Sequence, residues 1–241
     1  HLHNTTGQKI TVVYKKLPKE LISDVNSILE IDESDRVLGH ELFQGGDKEV
    51  YNMSTDIFVV DTPFLIEKLE EEAAKEEPRK LRYVLRDLAV AENAFAYEYT
   101  GYLSNIHSVK AYFDANLDML ESEKFYKLFA PNQKVYTKVK NEEPTYYATS
   151  SEVKRSQFAS GSIVRGKVEN SVISRNVDLS EGSSVSHSII FPRVNVAKGA
   201  TVEYAIVDKG VEIAEGVTIR GTENNPVVIK KGSVVTEDIV R

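Results

Sequence analysis

The sequence predicts an α/β segment followed by a left-handed parallel β-helix, and three observations carry that expectation. The last third repeats with a period of 17 residues. The first half alternates short β-branched runs with amphipathic stretches of helical spacing. Between them, residues 121–150 lose periodicity and carry Pro131 and Pro144. The expected organisation is an α/β part over residues 1–120, a linker over 121–150 and a β-helix over 151–241.

In the α/β part, residues 10–14 read as a β-branched strand. Two apolar segments, Ile28–Ile31 and Val37–Phe43, flank an acidic turn and read as a hairpin. "DIFVVDTPFLIEKLEEEAAKEEP" supplies a strand at Ile57–Val60, an N-cap at Asp61 or Thr62 and Pro63 at the first helical position, with the helix ending before Pro78. A second helix is expected at 79–90 and a strand at 94–99. "GYLSNIHS" (101–108) then turns into a helix on which Val109, Tyr112, Phe113, Leu117 and Leu120 recur at helical spacing, with Ser108 as its N-cap.

The repeat fixes the second part. Val168, Val185 and Val202 stand in one column, and Gly182, Gly199 and Gly216 in another suited to positive φ. Within each line, Ile173, Leu179, Val185, Ile190, Val196, Val202, Val207, Ile213 and Ile219 follow in steps of six, six and five. The residue two places before each is small or β-branched, and strand alternation puts both on one face. Three short inward-facing strands per turn describe a triangular parallel β-helix of the hexapeptide type, whose usual hand is left. The same alternation turns Val172, Ile189 and Ile206 outward as an aliphatic ladder. Linker or domain surface can cover it, or a second subunit can; exposed aliphatic ladders rarely go unused, and a subunit interface is the expectation carried forward. "RGTENNPVVIKKGS" breaks the period and is expected to close the coil.

Composition narrows the function classes. There is no cysteine, so disulfides, thiolate metal sites and cysteine nucleophiles are excluded. Residues 1–150 carry 18 Lys and Arg against 26 Asp and Glu, and residues 151–241 carry 12 against 11. Neither part has the basic field that nucleic acid requires. No apolar run is long enough to span a membrane, and a cytoplasmic location is expected. His187 takes an outward position, as does the general base of hexapeptide-repeat acyltransferases, but a plain surface residue is the reading expected here. In the turn, Asn105, His107 and Ser108 stand beside free helical N–H groups and could hold an anion, although the turn has no carboxylate.

An α/β segment ending in "GYLSNIHSVKAYFDANLDML", then a linker, then "GSIVRGKVENSVIS" and hexapeptide coils resembles the C-terminal part of the glucose-1-phosphate adenylyltransferase (ADP-glucose pyrophosphorylase) family. "VVYKK" and "NMSTDIFVVDTPFLIEKL" bring it nearest the GlgD-type subunit of bacterial glycogen synthesis. The resemblance covers nearly the whole chain. It implies a fragment that starts midway through a Rossmann-like nucleotidyltransferase domain, without the family's glycine-rich nucleotide loop.

The implied chemistry is attack of a sugar phosphate on the α-phosphate of ATP, with Mg²⁺ held by hard oxygen ligands. Catalytic members carry a Gly-Tyr-Trp-x-Asp-Val-Gly-Thr turn. Here Leu103 replaces the Trp, Asn105 the metal-site aspartate and His107 the glycine. The Ser-Met-Gly-x-Tyr-x-Phe strand has become Asn52 to Phe58, with Ser54 and Asp56 at its altered positions, and "LRYVLRD" replaces Asp-Phe-Gly-Lys-Asp. No Glu-Lys-Pro element is evident near "VLGHELFQ".

The resemblance therefore implies a non-catalytic, regulatory subunit with no catalytic or metal-ligating residue and no cofactor of its own. Asn105, His107, Ser108, Ser54 and Asp56 would be a degenerate site for substrate or anion, with a sugar phosphate as possible ligand. The partner would be a catalytic subunit, a second copy, or both. Two alternatives stand beside it: a competent sugar-phosphate nucleotidyltransferase, and a hexapeptide-repeat acyltransferase or assembly module.

Overall fold

Short β-branched runs pair into one mixed sheet in the first part of the computed structural model, which describes residues 2–129, 135–138 and 140–241. The chain divides into two compact units, His1–Gly101 and Tyr102–Arg241. The first holds α1 (Leu2–Thr6), β1 (Ile10–Pro18), β2 (Ser27–Ile31), β3 (Val37–Leu42), β4 (Val50–Val60), α2 (Thr62–Ala73), α3 (Leu81–Ala91) and β5 (Phe95–Glu98). The sheet order is β3-β2-β4-β1-β5, with β1 and β5 parallel and the other pairs antiparallel.

The hairpin read from the sequence is β2–β3. Its acidic turn is closed by Asp32, whose Oδ1 accepts from the backbone N–H groups of Ser34 and Arg36, each at 2.8 Å. Ile10, Val12 and Tyr14 alternate onto the face of β1 that packs against Leu85 and Ala89 of α3. β1 and β4 run longer than the sequence suggested. A bulge at Thr55 and Asp56 carries β4 through the polar stretch "NMSTD": Tyr14 pairs with Ser54 while Val13 pairs with Ile57.

The second unit is dominated by a parallel β-helix of about six turns, with three parallel sheets forming its faces. Its register is the 17-residue period itself: Val168 pairs with Val185 and Val185 with Val202. All nine inward positions from Ile173 to Ile219 are buried. Serines are tolerated inside because their hydroxyls are hydrogen-bonded, Ser171 and Ser188 across coils and Ser183 to the Ser180 carbonyl of its own coil. Ser171 Oγ accepts from Ser188 N and Ser188 Oγ from Ala205 N, both at 3.1 Å, and each hydroxyl donates to a carbonyl of its own coil.

The coil starts earlier and ends later than expected. Tyr146–Tyr147, inside the expected linker, already pairs with Ile163–Val164. The linker also contains a helix, α5 (Ser122–Leu128, numbered after α4 below); Pro131 lies outside the described residues. "RGTENNP" is a loop inserted into a coil that continues: Ile206 pairs with Val228, and Ile219–Arg220 with Ile239–Val240. Gly221 lets that loop depart, since a Cβ there would lie 2.5 Å from the Tyr204 carbonyl oxygen.

The boundary between units also differs from the expected residue 120. Helix α4 (Val109–Leu117) belongs with the β-helix, because Phe113, 1% exposed, forms one apolar cluster with Ile189 and Ile206. Tyr112, Leu117 and Phe191 pack around them. At Ile189 and Ile206 the outward ladder is therefore covered by this chain's own helix, which corrects the expectation of a subunit interface there. Val172, the remaining rung, is half-buried and pairs with Ile189.

Ile189→Asp would set an unpaired carboxylate beneath Phe113. It is expected to cost about 4 kcal/mol or more and to lower the melting temperature by roughly 10 °C. An unchanged melting curve with an altered mass by light scattering would instead mark the ladder as a contact between subunits.

Candidate functional site

The five candidate residues fall in the two units, and each group stands by itself. In the first unit, Asp56 sits on the bulge of β4 with φ +54°, a left-handed conformation that Asp tolerates better than most residues. Ser54, buried beside it, accepts from Asp56 N at 3.3 Å. Thr55 Oγ1 donates to the Val13 carbonyl at 2.9 Å and pins the bulge to β1.

Asp56 is neither a solvated turn group nor an open ligand, because two arginines of α3 hold its carboxylate. The Arg86 guanidinium, 7% exposed, donates to Oδ1 and Oδ2 at 3.0–3.2 Å, and Arg82 donates to Oδ2 at 2.9 Å. A buried guanidinium in this forked geometry fixes helix to strand and uses the acceptor capacity a ligand would need. The arginines went unassigned in the sequence reading. Their four-residue spacing in "LRYVLRD", which sets both on one face of α3, was the available signal.

His40 on β3 lies near this cluster and was also unassigned. Both ring nitrogens are shielded from solvent and have no hydrogen-bond partner among the described residues. Burial, and secondarily the Arg86 charge, lowers its pKa from 6.5 to about 4.

In the second unit, the turn after Gly101 leads into α4 as expected. Ser108 is extended at φ −146° and accepts from Ala111 N at 3.0 Å, a side-chain N-cap. His107 turns back onto the loop, its N–H donating to the Asn105 carbonyl at 3.2 Å and its Nδ1 lying 3.1 Å from the same oxygen. Tyr102 OH donates to Asp118 at 3.0 Å; burial, then that carboxylate, raises its pKa. His107 and Ser108 edge an apolar cavity of about 620 Å³ shared with Val109, Tyr112, Phe191 and Ile206. Asp208 is the acidic group in this lining, which holds neither Lys nor Arg. An anion would meet an N-cap already taken by Ser108 and a carboxylate across the cavity.

The donor set does not fit Mg²⁺. An amide, an imidazole and a hydroxyl stand where the ion favours carboxylate oxygen, and no group of three or more His, Asp or Glu able to hold a metal occurs among the described residues. Asp56, the nearest acidic candidate by sequence, is committed to its arginines. No helix among the described residues is long and apolar enough to cross a membrane.

Comparison with known proteins places these observations. Residues 139–240 match the family described as GlmU-like, C-terminal hexapeptide. The chain is 34% identical over 197 residues to the glycogen biosynthesis protein GlgD of Bacillus subtilis (strain 168), covering 82% of this chain and 55% of that protein. It is 54% identical over 127 residues to GlgD of Geobacillus stearothermophilus, covering 53% of this chain and 37% of the relative. A glucose-1-phosphate adenylyltransferase of Clostridium acetobutylicum is 31% identical over 150 residues, covering 61% and 39%. The chain thus spans between about a third and just over half of these relatives.

His40 generates a pH test. Its folded pKa is depressed, so between pH 6.5 and 4 the unfolded chain binds the extra proton and stability falls as pH falls. His40→Phe, beside Phe58, is expected to flatten that part of the melting-temperature profile. Parallel profiles for the two proteins would show that His40 does not contribute.

Proposed function

We propose that this chain, which belongs to the family of GlgD glycogen biosynthesis proteins and glucose-1-phosphate adenylyltransferases, serves in a regulatory, non-catalytic subunit of a glycogen-forming ADP-glucose pyrophosphorylase. The complete enzyme would join ATP and glucose 1-phosphate into ADP-glucose and pyrophosphate in the cytoplasm. This subunit would act on a catalytic partner, or on a second copy, by shifting the partner's rate or effector response through a shared interface.

The observation that carries the reading is the turn at 101–108. It keeps the architecture of a capped helix start, yet Asn105 stands where the family's catalytic members hold a carboxylate. The strand position at Asp56 supports it independently, since its carboxylate is locked to Arg82 and Arg86. Removing one well-placed electrostatic contact commonly costs ~10²–10³ in rate, so losses at both positions together would leave little turnover.

The test is pyrophosphate release from ATP, glucose 1-phosphate and Mg²⁺. The full-length protein is assayed alone, and then with a catalytic homologue. Negligible turnover alone, with a changed rate or effector response in the mixture, is expected. Robust turnover by the protein alone would favour a competent nucleotidyltransferase.

A further inference from the structure

We propose that the coil at residues 227–240, at one end of the β-helix, is a self-association surface on which two copies of this chain pair about a twofold axis. Its strands are Val227–Ile229, Val234–Val235 and Ile239–Val240, and each is the edge strand of its sheet. A cavity of about 470 Å³ opens there, lined by residues of this coil alone, among them Val228, Val234, Val235 and Ile239. An exposed strand edge is a template for pairing with another chain.

The outer surface changes character at this coil. Along one face Asp178, Asn195 and Glu212 give way in register to Val234. Along the next, Ser186, Glu203 and Arg220 give way to Val240. On the third, Val228 follows Ile206. All three valines are exposed, Val234 at 66%. The inserted loop after Arg220 leaves this end clear, because it turns back along the earlier coils: Glu223 lines a cavity with Asn170 and His187.

Charge chooses the partner and the axis. The corner before Val234–Val235 carries Lys230 and Lys231, and the corner after it Glu237 and Asp238, all exposed. Lys230, Lys231 and Glu237 stand in no ion pair among the described residues. Asp238 Oδ1 accepts from Thr218 N at 2.7 Å. A triangular end offers three twofold axes, one through the middle of each edge strand. The axis through Val227–Ile229 would set the two acidic corners against each other, and that through Ile239–Val240 the two basic ones. The axis through Val234–Val235 exchanges these corners, so the lysines of each protomer meet the carboxylates of the other.

The same axis runs all three edge strands antiparallel to their mates. Val234 then lies beside its own copy, and Val228 of one protomer near Val240 of the other. One operation satisfies strand edges, valines and charges, and a twofold contact closes at the dimer. Strands of two and three residues make a small contact, of the weak and transient class. The surface lies outside the turn and the Asp56 cluster, so it stands whether or not the chain is catalytic.

The experiment is sedimentation velocity of the full chain from about 1 to 100 µM, paired with hydrogen exchange at both concentrations. A monomer–dimer equilibrium with Kd of roughly 10 µM is expected, weakening as salt rises. Val234→Lys, Lys231→Glu and Glu237→Lys should each raise Kd at least about tenfold. Mixing the last two variants should restore pairing, because both of their cross-contacts again join opposite charges. In the unsubstituted chain, amides of residues 234–236 should exchange more slowly at the higher concentration, a reading that stays decisive if a variant misfolds. The proposal fails if the chain stays monomeric, if a dimer survives all three substitutions, or if the mixture of folded variants does not pair. It fails equally if mass grows past the dimer, as head-to-tail stacking would require, or if those amides gain no protection with concentration.

Discussion

The burial of Phe113 against Ile189 and Ile206 is the contact on which the second unit's functional geometry depends. A β-helix of two- and three-residue strands fills its own interior and leaves each outer face to solvent or to a partner. Here one face carries a ladder of aliphatic side chains, and α4 is folded onto it. Burying a large aromatic with two branched aliphatics contributes several kcal/mol, more than the ~1 kcal/mol of the Ser108 cap. The helix is held by its ladder, and the cap sets where it begins.

Two features follow from that docking. The turn before α4 keeps its shape because the helix it feeds is fixed at the far side, so its residues can change without loss of architecture. An amide at position 105 is compatible with a fold that a metal-binding carboxylate would also satisfy. A cavity of about 600 Å³ opens where α4 and its 3-10 turn stand off from the corner at Asn170, His187 and Tyr204. The same helix serves as brace and as wall.

Much of this was legible in the sequence, and the boundary of legibility is physical. A side-chain period that must close every 17 residues fixed inward and outward positions, down to the rungs of the ladder. The acidic hairpin turn and the Ser108 cap were equally plain, since each uses a local side-chain-to-backbone bond. What covers the ladder was not legible. The spacing of Val109, Tyr112, Phe113 and Leu117 says that one face of a helix is buried and does not say against what. The loop after Arg220 looked like an end because an insertion and a terminus both break a period. Asp56 resisted assignment because its partners lie some 26 and 30 residues away on another element. His40 offered no signal, because its environment comes from tertiary packing alone.

Native-state hydrogen exchange across α4 tests the central claim most directly. If the helix is held by the ladder, its amides around Phe113 should open with the same free energy as those of the coils at residues 189–190 and 206–207, within about 1 kcal/mol. Amides of α4 that exchange several kcal/mol more readily than the coils, or that track the strands of the first unit, would contradict it.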